Sequence, residues 1–134
     1  MSTANYRKTV TAFLDRFSAG DSDGVMALLD DAASWKVMGR DGELPISGEM
    51  NNEGVASLMS TVTQAFPQGM TLTPSGWTSE GERVAVEVES YGVKADGLIY
   101  NNLYHFLFVF RGERIVSIRE YMDTLHVKSV FIDG

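Results

Sequence analysis

Apolar positions along this chain follow a helical period in the first half and a strand period in the second. Tyr6, Val10, Phe13, Leu14 and Phe17 share one face at helical spacing, which predicts an amphipathic helix from Asn5 to about Ala19. Gly20 follows, where a left-handed residue can end a helix. Asp21 or Ser22 can cap a second, shorter helix carrying Val25, Met26, Leu28 and Leu29. Ala33–Met38 reads as a strand, and Gly39–Gly48 as an irregular loop or short hairpin. A third helix opens at Asn51 or Asn52, lines up Val55, Leu58, Met59, Val62 and Phe66, and stops at Pro67.

From Met70 the period changes to two. Thr71–Thr78, Arg83–Val93, Ile99–Arg111 and Arg114–Met122 are long strand candidates, with turns at Glu80-Gly81 and Asp96-Gly97. Asp123 or Thr124 can cap a last helical turn through Val127 and Val130. Helices followed by an antiparallel meander make an α+β layout, with the helices packed on one face of a curved sheet.

Composition narrows the function classes. The chain has 134 residues, enough for one domain with a real core. Its net charge of −7 and lack of a basic patch argue against nucleic acid as a partner. There is no cysteine, which removes disulfides, thiolate catalysis and Cys-zinc sites. No apolar run approaches the roughly 20 residues that span a bilayer, and no apolar signal segment stands at the N-terminus. No membrane association is expected, and cytoplasm is the expected compartment. His105 and His126 form no metal-binding pattern, so neither metal nor cofactor is expected.

The stretch Tyr100–Thr124, YNNLYHFLFVFRGERIVSIREYMDT, reads as a hairpin turning at Arg111-Gly112-Glu113. Almost every residue up to Phe110 is apolar or aromatic, yet the second strand ends in Arg119-Glu-Tyr-Met-Asp123. Charge at the end of a hydrophobic hairpin is costly unless it is paired, hydrated or used. The order of elements, the length and this closing motif resemble the SnoaL-like, ketosteroid isomerase-like branch of the nuclear transport factor 2-like superfamily. The architectural resemblance spans essentially the whole chain (one domain, 1–134), and the motif-level match covers roughly Glu82–Thr124. It implies a cystatin-like roll: a cone-shaped, curved mixed or antiparallel sheet with three to four helices on its concave side and a deep, mostly apolar pocket. It also implies a homodimer through the outer sheet face.

The resemblance singles out Glu120. Limonene-type epoxide hydrolases end the same strand in a similar Arg-Asp-Tyr-Phe-Asp, with its first acid catalytic. SnoaL-type cyclases and phenazine-biosynthesis members also use the acid at this position. A carboxyl between apolar walls has a raised pKa and can exchange a proton near neutrality. The plainer alternative is a rim carboxylate paired with Arg119. Within Val84-Ala-Val-Glu-Val-Glu89, plain alternation puts valines inward and Glu87 and Glu89 in water. A gap-free comparison with the epoxide hydrolases instead sets Glu87 and Glu89 where that family has a pocket Arg and Asp, as further catalytic candidates. The missing Arg argues against that family's hydrolysis mechanism.

Trp35 and Val37 match first-strand pocket positions of the relatives, with simple core packing as the alternative. No acid occurs in Ser34–Gly39, so the general base of the ketosteroid isomerases has no counterpart. Ligand contacts are also expected from Asn102, Tyr104, Phe106, Ile118 and Met122. Their face depends on the hairpin: a two-residue Gly112-Glu113 turn sets His105 opposite Glu120, and a one-residue bulge sets Tyr104 there. The phenazine-type relatives favour the bulged register, with His105 on the outer face. His126 reads as surface or interface, Met38, Met59 and Met122 as core or pocket wall, and Tyr6, Phe13, Phe17 and Phe66 as helix-to-sheet core. Three functions fit this reading. The first is an acid–base isomerase, dehydratase or cyclase acting on a small hydrophobic molecule. The others are a non-catalytic binder of such a molecule and a dimeric interaction domain.

Overall fold

The computed structural model describes residues 3–40 and 42–134; Asp41, inside the loop expected over Gly39–Gly48, lies outside the described residues. Helix α1 runs Thr3–Ser18 and buries the five apolar residues of its stripe. Helix α2 is only Ser22–Met26, capped by Asp21, whose side chain accepts the Gly24 N–H at 2.9 Å. Leu28 and Leu29 therefore fall outside the helix expected to carry them. Leu29 already pairs with Ile115 as the first residue of strand β1, Leu29–Val37. The loop that follows ends in a short strand, β2, Gly48–Met50, antiparallel to β1. Helix α3, Asn52–Ala65, starts from the Asn51 side chain, which accepts the Gly54 N–H at 3.0 Å.

The second half is sheet: β3 Met70–Glu80, β4 Arg83–Val93, β5 Ile99–Tyr100, β6 Leu103–Arg111 and β7 Arg114–Met122. The strand expected over Ile99–Arg111 is broken at Asn101-Asn102, although both pieces keep one register on β4, Gly92 facing Tyr100 and Glu89 facing Leu103. The break arises because the Asn102 N–H bonds to the Ser90 Oγ at 2.8 Å. Asp123 caps a short helix, α4 (Thr124–Val127), which runs into a π-helical turn over Lys128–Ile132.

Seven strands form one curved mixed sheet in the order β2-β1-β7-β6-β4-β3, with β5 on β4. Neighbours are antiparallel except β1 and β7, which run parallel. The four helices and this sheet make the α+β architecture. No described helix is long and apolar enough to cross a membrane.

The hairpin between β6 and β7 closes on Gly112-Glu113, with Arg111 facing Arg114 and Gly112 at φ +63°. A positive φ at the first central position suits the strand twist. Val109 then faces Ser117 while Phe110 faces Ile115, so Val116 bulges out of the ladder. The extra residue lies on β7 and carries Glu120 opposite Phe106; Tyr104 faces Met122. The expected pairing of Tyr104 with Glu120 is thus one pair off, because that pairing needs the bulge on β6. The shared face is the expected one, and His105 points outward beside Tyr121 and Glu87.

Aromatic rings fill the space between α1 and the sheet. Phe13 is wholly buried, with Phe108, Trp35 and Phe17 at centroid separations of 5.3, 5.6 and 6.2 Å. A ring enclosed on three sides by other rings leaves a void that cannot collapse. Phe13→Ala is expected to lower unfolding free energy by roughly 3–5 kcal/mol, read as a reduced urea midpoint with an unchanged slope.

Candidate active site

A cavity of about 220 Å³ opens between α3 and the inner face of the sheet. Trp35 and Val37 of β1, Tyr104 and Phe106 of β6, and Glu120 and Met122 of β7 form its sheet wall. Leu58, Thr61, Val62 and Ala65 of α3 form the opposite wall. This explains the helix's incomplete packing: Val55 and Met59 are buried, while Leu58 and Val62 on the same stripe stay half-buried because they border open space. Phe17, Phe66, Tyr100 and Phe131 add aromatic rings, and Ile46, Met50, Met70 and Leu72 complete the lining.

Glu120 is the acidic group in this wall, with only 8% of its surface exposed. Strand alternation turns it inward beside Ile118 and Met122, and the parallel pairing sets Val37 opposite it. From the same strand as Val37, the Trp35 Nε1–H donates to Glu120 Oε1 at 2.9 Å. No ion pair joins Glu120 to a base among the described residues, and Arg119 lies on the exposed face. Burial raises the Glu120 carboxyl from 4.5 to about 7, and the Trp35 hydrogen bond pulls the other way without cancelling it. The group therefore holds its proton in weak acid and exchanges it near neutrality.

A second polar corner lies beside it. The hydroxyls of Tyr100 and Tyr104 hydrogen-bond to each other, and the Asn102 Nδ2 donates to Tyr100 at 3.0 Å. Burial pushes Tyr100 up to about 12 and Tyr104 well above its ordinary value, so both stay protonated hydroxyls at physiological pH. Tyr104 and Glu120 are diagonal neighbours on two paired strands, which places them at one end of the cavity.

Several expected contacts are corrected. Glu87 and Glu89 lie on the exposed outer face of β4, while Val84, Val86 and Val88 fill the core. Neither glutamate reaches the cavity, because one face of this strand is open to water and the alternation sorts acids onto it. Ile118 is buried against the core and does not line the cavity. Asn102 is also buried, one layer behind the wall, bonded to Tyr100 and to the backbone of Leu103 and Asp123. Of the methionines considered, Met122 lines the cavity, Met59 is core, and Met38 does not border the space. His126 is half-buried and stacks on Tyr100 at 5.4 Å, accepting the Asn101 N–H on Nε2. Sequence reasoning missed the α3 wall of Leu58, Thr61, Val62 and Ala65, together with Ile46, Met50, Met70, Leu72, Tyr100 and Phe131. The α3 stripe itself carried a usable signal for one of them, since Thr61 sits between Leu58 and Val62.

This is the nuclear transport factor 2-like fold. A nuclear transport factor 2-like protein of unknown function from Burkholderia pseudomallei superposes with a TM-score of 0.83 at 21% identity, over 98% of this chain and 99% of that one. TerC, co-crystallised with polyporic acid, matches at 0.81 and 16% identity, covering 94% and 97% of the two chains. A protein provisionally assigned as a SnoaL-like polyketide cyclase from Jannaschia matches at 0.80 and 15%, covering 100% and 97%. The sequence model of the SnoaL-like domain matches residues 10–118, and the chain belongs to that family. No curated protein is similar enough in sequence to count as a relative.

The raised Glu120 carboxyl links pH to stability. Between about 4.5 and 7 the folded chain binds more proton at this site than the unfolded chain, so stability falls as pH rises through that window and levels off above it. Glu120→Gln keeps an acceptor for the Trp35 N–H and removes the buried charge. The variant is expected to match the wild type near pH 4.5 and to exceed it at pH 8 by about 3 kcal/mol. Paired thermal melts across this range check the sign.

Proposed function

We propose that this SnoaL-like protein is a cofactor-independent acid–base enzyme acting on a small, largely apolar molecule. Glu120 gives or takes the proton. The observation that carries this reading is an uncharged-partner carboxyl, buried in an aromatic cavity and poised to exchange its proton near neutral pH. Groups matched to ambient pH are the effective general acids and bases. Isomerisation, dehydration and intramolecular cyclisation each need such a transfer and little else from the protein. The co-crystal of TerC with polyporic acid and the provisional cyclase assignment of the Jannaschia protein support a small-molecule ligand for this fold. Glu87 and Glu89 have no part in the mechanism.

Screening wild type against cyclic enones and β-hydroxyketones tests the reading. A turned-over compound is expected to lose about 10²–10⁴ in kcat/KM in Glu120→Gln, with the fold intact. Equal turnover by the variant removes Glu120 from the mechanism. A compound that binds tightly and is never turned over makes the protein a binding module instead.

The reading includes a homodimer through the outer sheet face. There Tyr91, Leu103 and Tyr121 stand 54%, 65% and 41% exposed on β4, β6 and β7. Large apolar side chains gathered on one sheet face favour burial against a partner. Light scattering at micromolar concentration is expected to give twice the chain mass, and Leu103→Glu to give the monomer. A wild-type monomer overturns the dimer.

A further inference from the structure

Resting on the cavity as the ligand site, we infer that Asn102 is a positioning residue. It sets the direction of a hydrogen-bond chain that ends on Tyr104, so that the Tyr104 hydroxyl is offered as a donor to a carbonyl oxygen of the ligand. The ligand class that follows is a neutral carbonyl compound.

The orientation of the Asn102 amide is fixed by its surroundings. Its Oδ1 accepts the Leu103 backbone N–H at 2.8 Å, a group that can only donate. Its Nδ2 lies 3.2 Å from the Asp123 carbonyl oxygen, a group that can only accept. Both contacts demand the same assignment of oxygen and nitrogen. The amide therefore donates to Tyr100 Oη at 3.0 Å and cannot accept from it.

The direction then propagates. Tyr100 and Tyr104 share one hydroxyl-to-hydroxyl contact, in which one proton is used. Tyr100 already receives the Asn102 bond, and because hydrogen bonds aligned in one direction reinforce each other, the aligned arrangement has Tyr100 giving its own proton to the Tyr104 oxygen. Ser90 ties the Asn102 backbone into the same corner: its Oγ accepts the Asn102 N–H at 2.8 Å, and its hydroxyl points back to the Asn102 carbonyl at 3.5 Å. With its oxygen supplied by Tyr100, Tyr104 has its proton to give. Its ring lines the cavity, stacked on Phe106 at 5.1 Å, and Phe106 faces Glu120 across the ladder. A carbonyl oxygen at this corner takes the Tyr104 proton while the neighbouring part of the molecule lies at Glu120. A hydrocarbon leaves the donor unsatisfied, which costs affinity in a dry site.

Two probes of nearly equal shape test the chain, 2-acetylnaphthalene and 2-ethylnaphthalene, which differ in the carbonyl oxygen. Wild type is expected to bind the ketone about tenfold more tightly. Tyr104→Phe is expected to abolish that preference and leave the hydrocarbon affinity within about twofold. Asn102→Asp is expected to do the same. Its carboxylate still accepts the Leu103 N–H but draws the Tyr100 proton to itself, so Tyr104 must turn its own proton to Tyr100. The double variant is expected to lose nothing more. A ketone preference retained in Asn102→Asp overturns the role of Asn102. Equal loss of both probes in that variant also overturns it, since that is the mark of a residue needed only for structure. Should Asn102→Asp fail to fold, the carbonyl stretching frequency of the bound ketone decides. A shift to lower frequency in wild type that vanishes in Tyr104→Phe is expected, and an unshifted band overturns the chain. Failure of both probes to bind wild type is a different result, and it removes the cavity reading itself.

Discussion

The parallel pairing of β1 with β7 holds a carboxyl where the fold alone would not keep one. It sets Val37 opposite Glu120 and brings the Trp35 indole to within 2.9 Å of the carboxylate. Burying an ionised acid costs several kcal/mol unless charge or multiple donors compensate, and one neutral N–H compensates only in part. The result is an acid that folds in most comfortably with its proton on. Stability and proton exchange are opposed at this one residue, which on the proposed function is kept for chemistry rather than for packing.

The sheet divides labour between its faces. Inward positions on β4, β6 and β7 carry valine, phenylalanine and isoleucine up to the row where Phe106 meets Glu120. Outward positions on the same strands carry Glu87, His105 and Tyr121 in one row across the ladder. On the inner face of β4 to β6, polar groups gather at the end of the sheet where β5 breaks from β6. There Asn102, Ser90, Tyr100 and Tyr104 satisfy one another. A polar cluster this deep is tolerated because its members are mutually bonded.

Most of the architecture was legible in periodicity. The α1 and α3 stripes, the Asp21 and Asn51 caps, and the change of period at Met70 each report a local preference that tertiary packing reinforces. The Glu87 and Glu89 question shows which signal to weigh. Simple alternation put both in water, and the comparison with epoxide hydrolases put both in the pocket. Alternation prevailed because no helix or strand of the same chain covers the outer face of β4 among the described residues. The Tyr104 register was only half legible. Positive φ at Gly112 follows from turn chemistry, whereas Val116 is an ordinary strand residue and nothing in its identity announces a bulge. Asn102 was harder still. Its partner carbonyl, Asp123, lies 21 residues on and becomes a neighbour only after β7 has docked on β6.

The cavity has one rigid, polar wall and one adaptable, apolar wall. Glu120, Trp35 and Tyr104 all sit on strands locked into the ladder on both sides, where a shift of one side chain meets paired neighbours. Facing them, α3 contributes Leu58, Val62, Ala65 and Thr61, and the C-terminal turn contributes Phe131, which is 38% exposed. Side chains that border open space change size at little packing cost, because no neighbour must move and no filled volume is lost. On the proposed function, shape selectivity therefore resides on the helix side and proton transfer on the sheet side. Substitutions at Leu58 or Val62 can retune which molecule fits while leaving the Trp35–Glu120 contact undisturbed. That separation gives a physical reason for one SnoaL-like scaffold to host different ligands without rebuilding its acid.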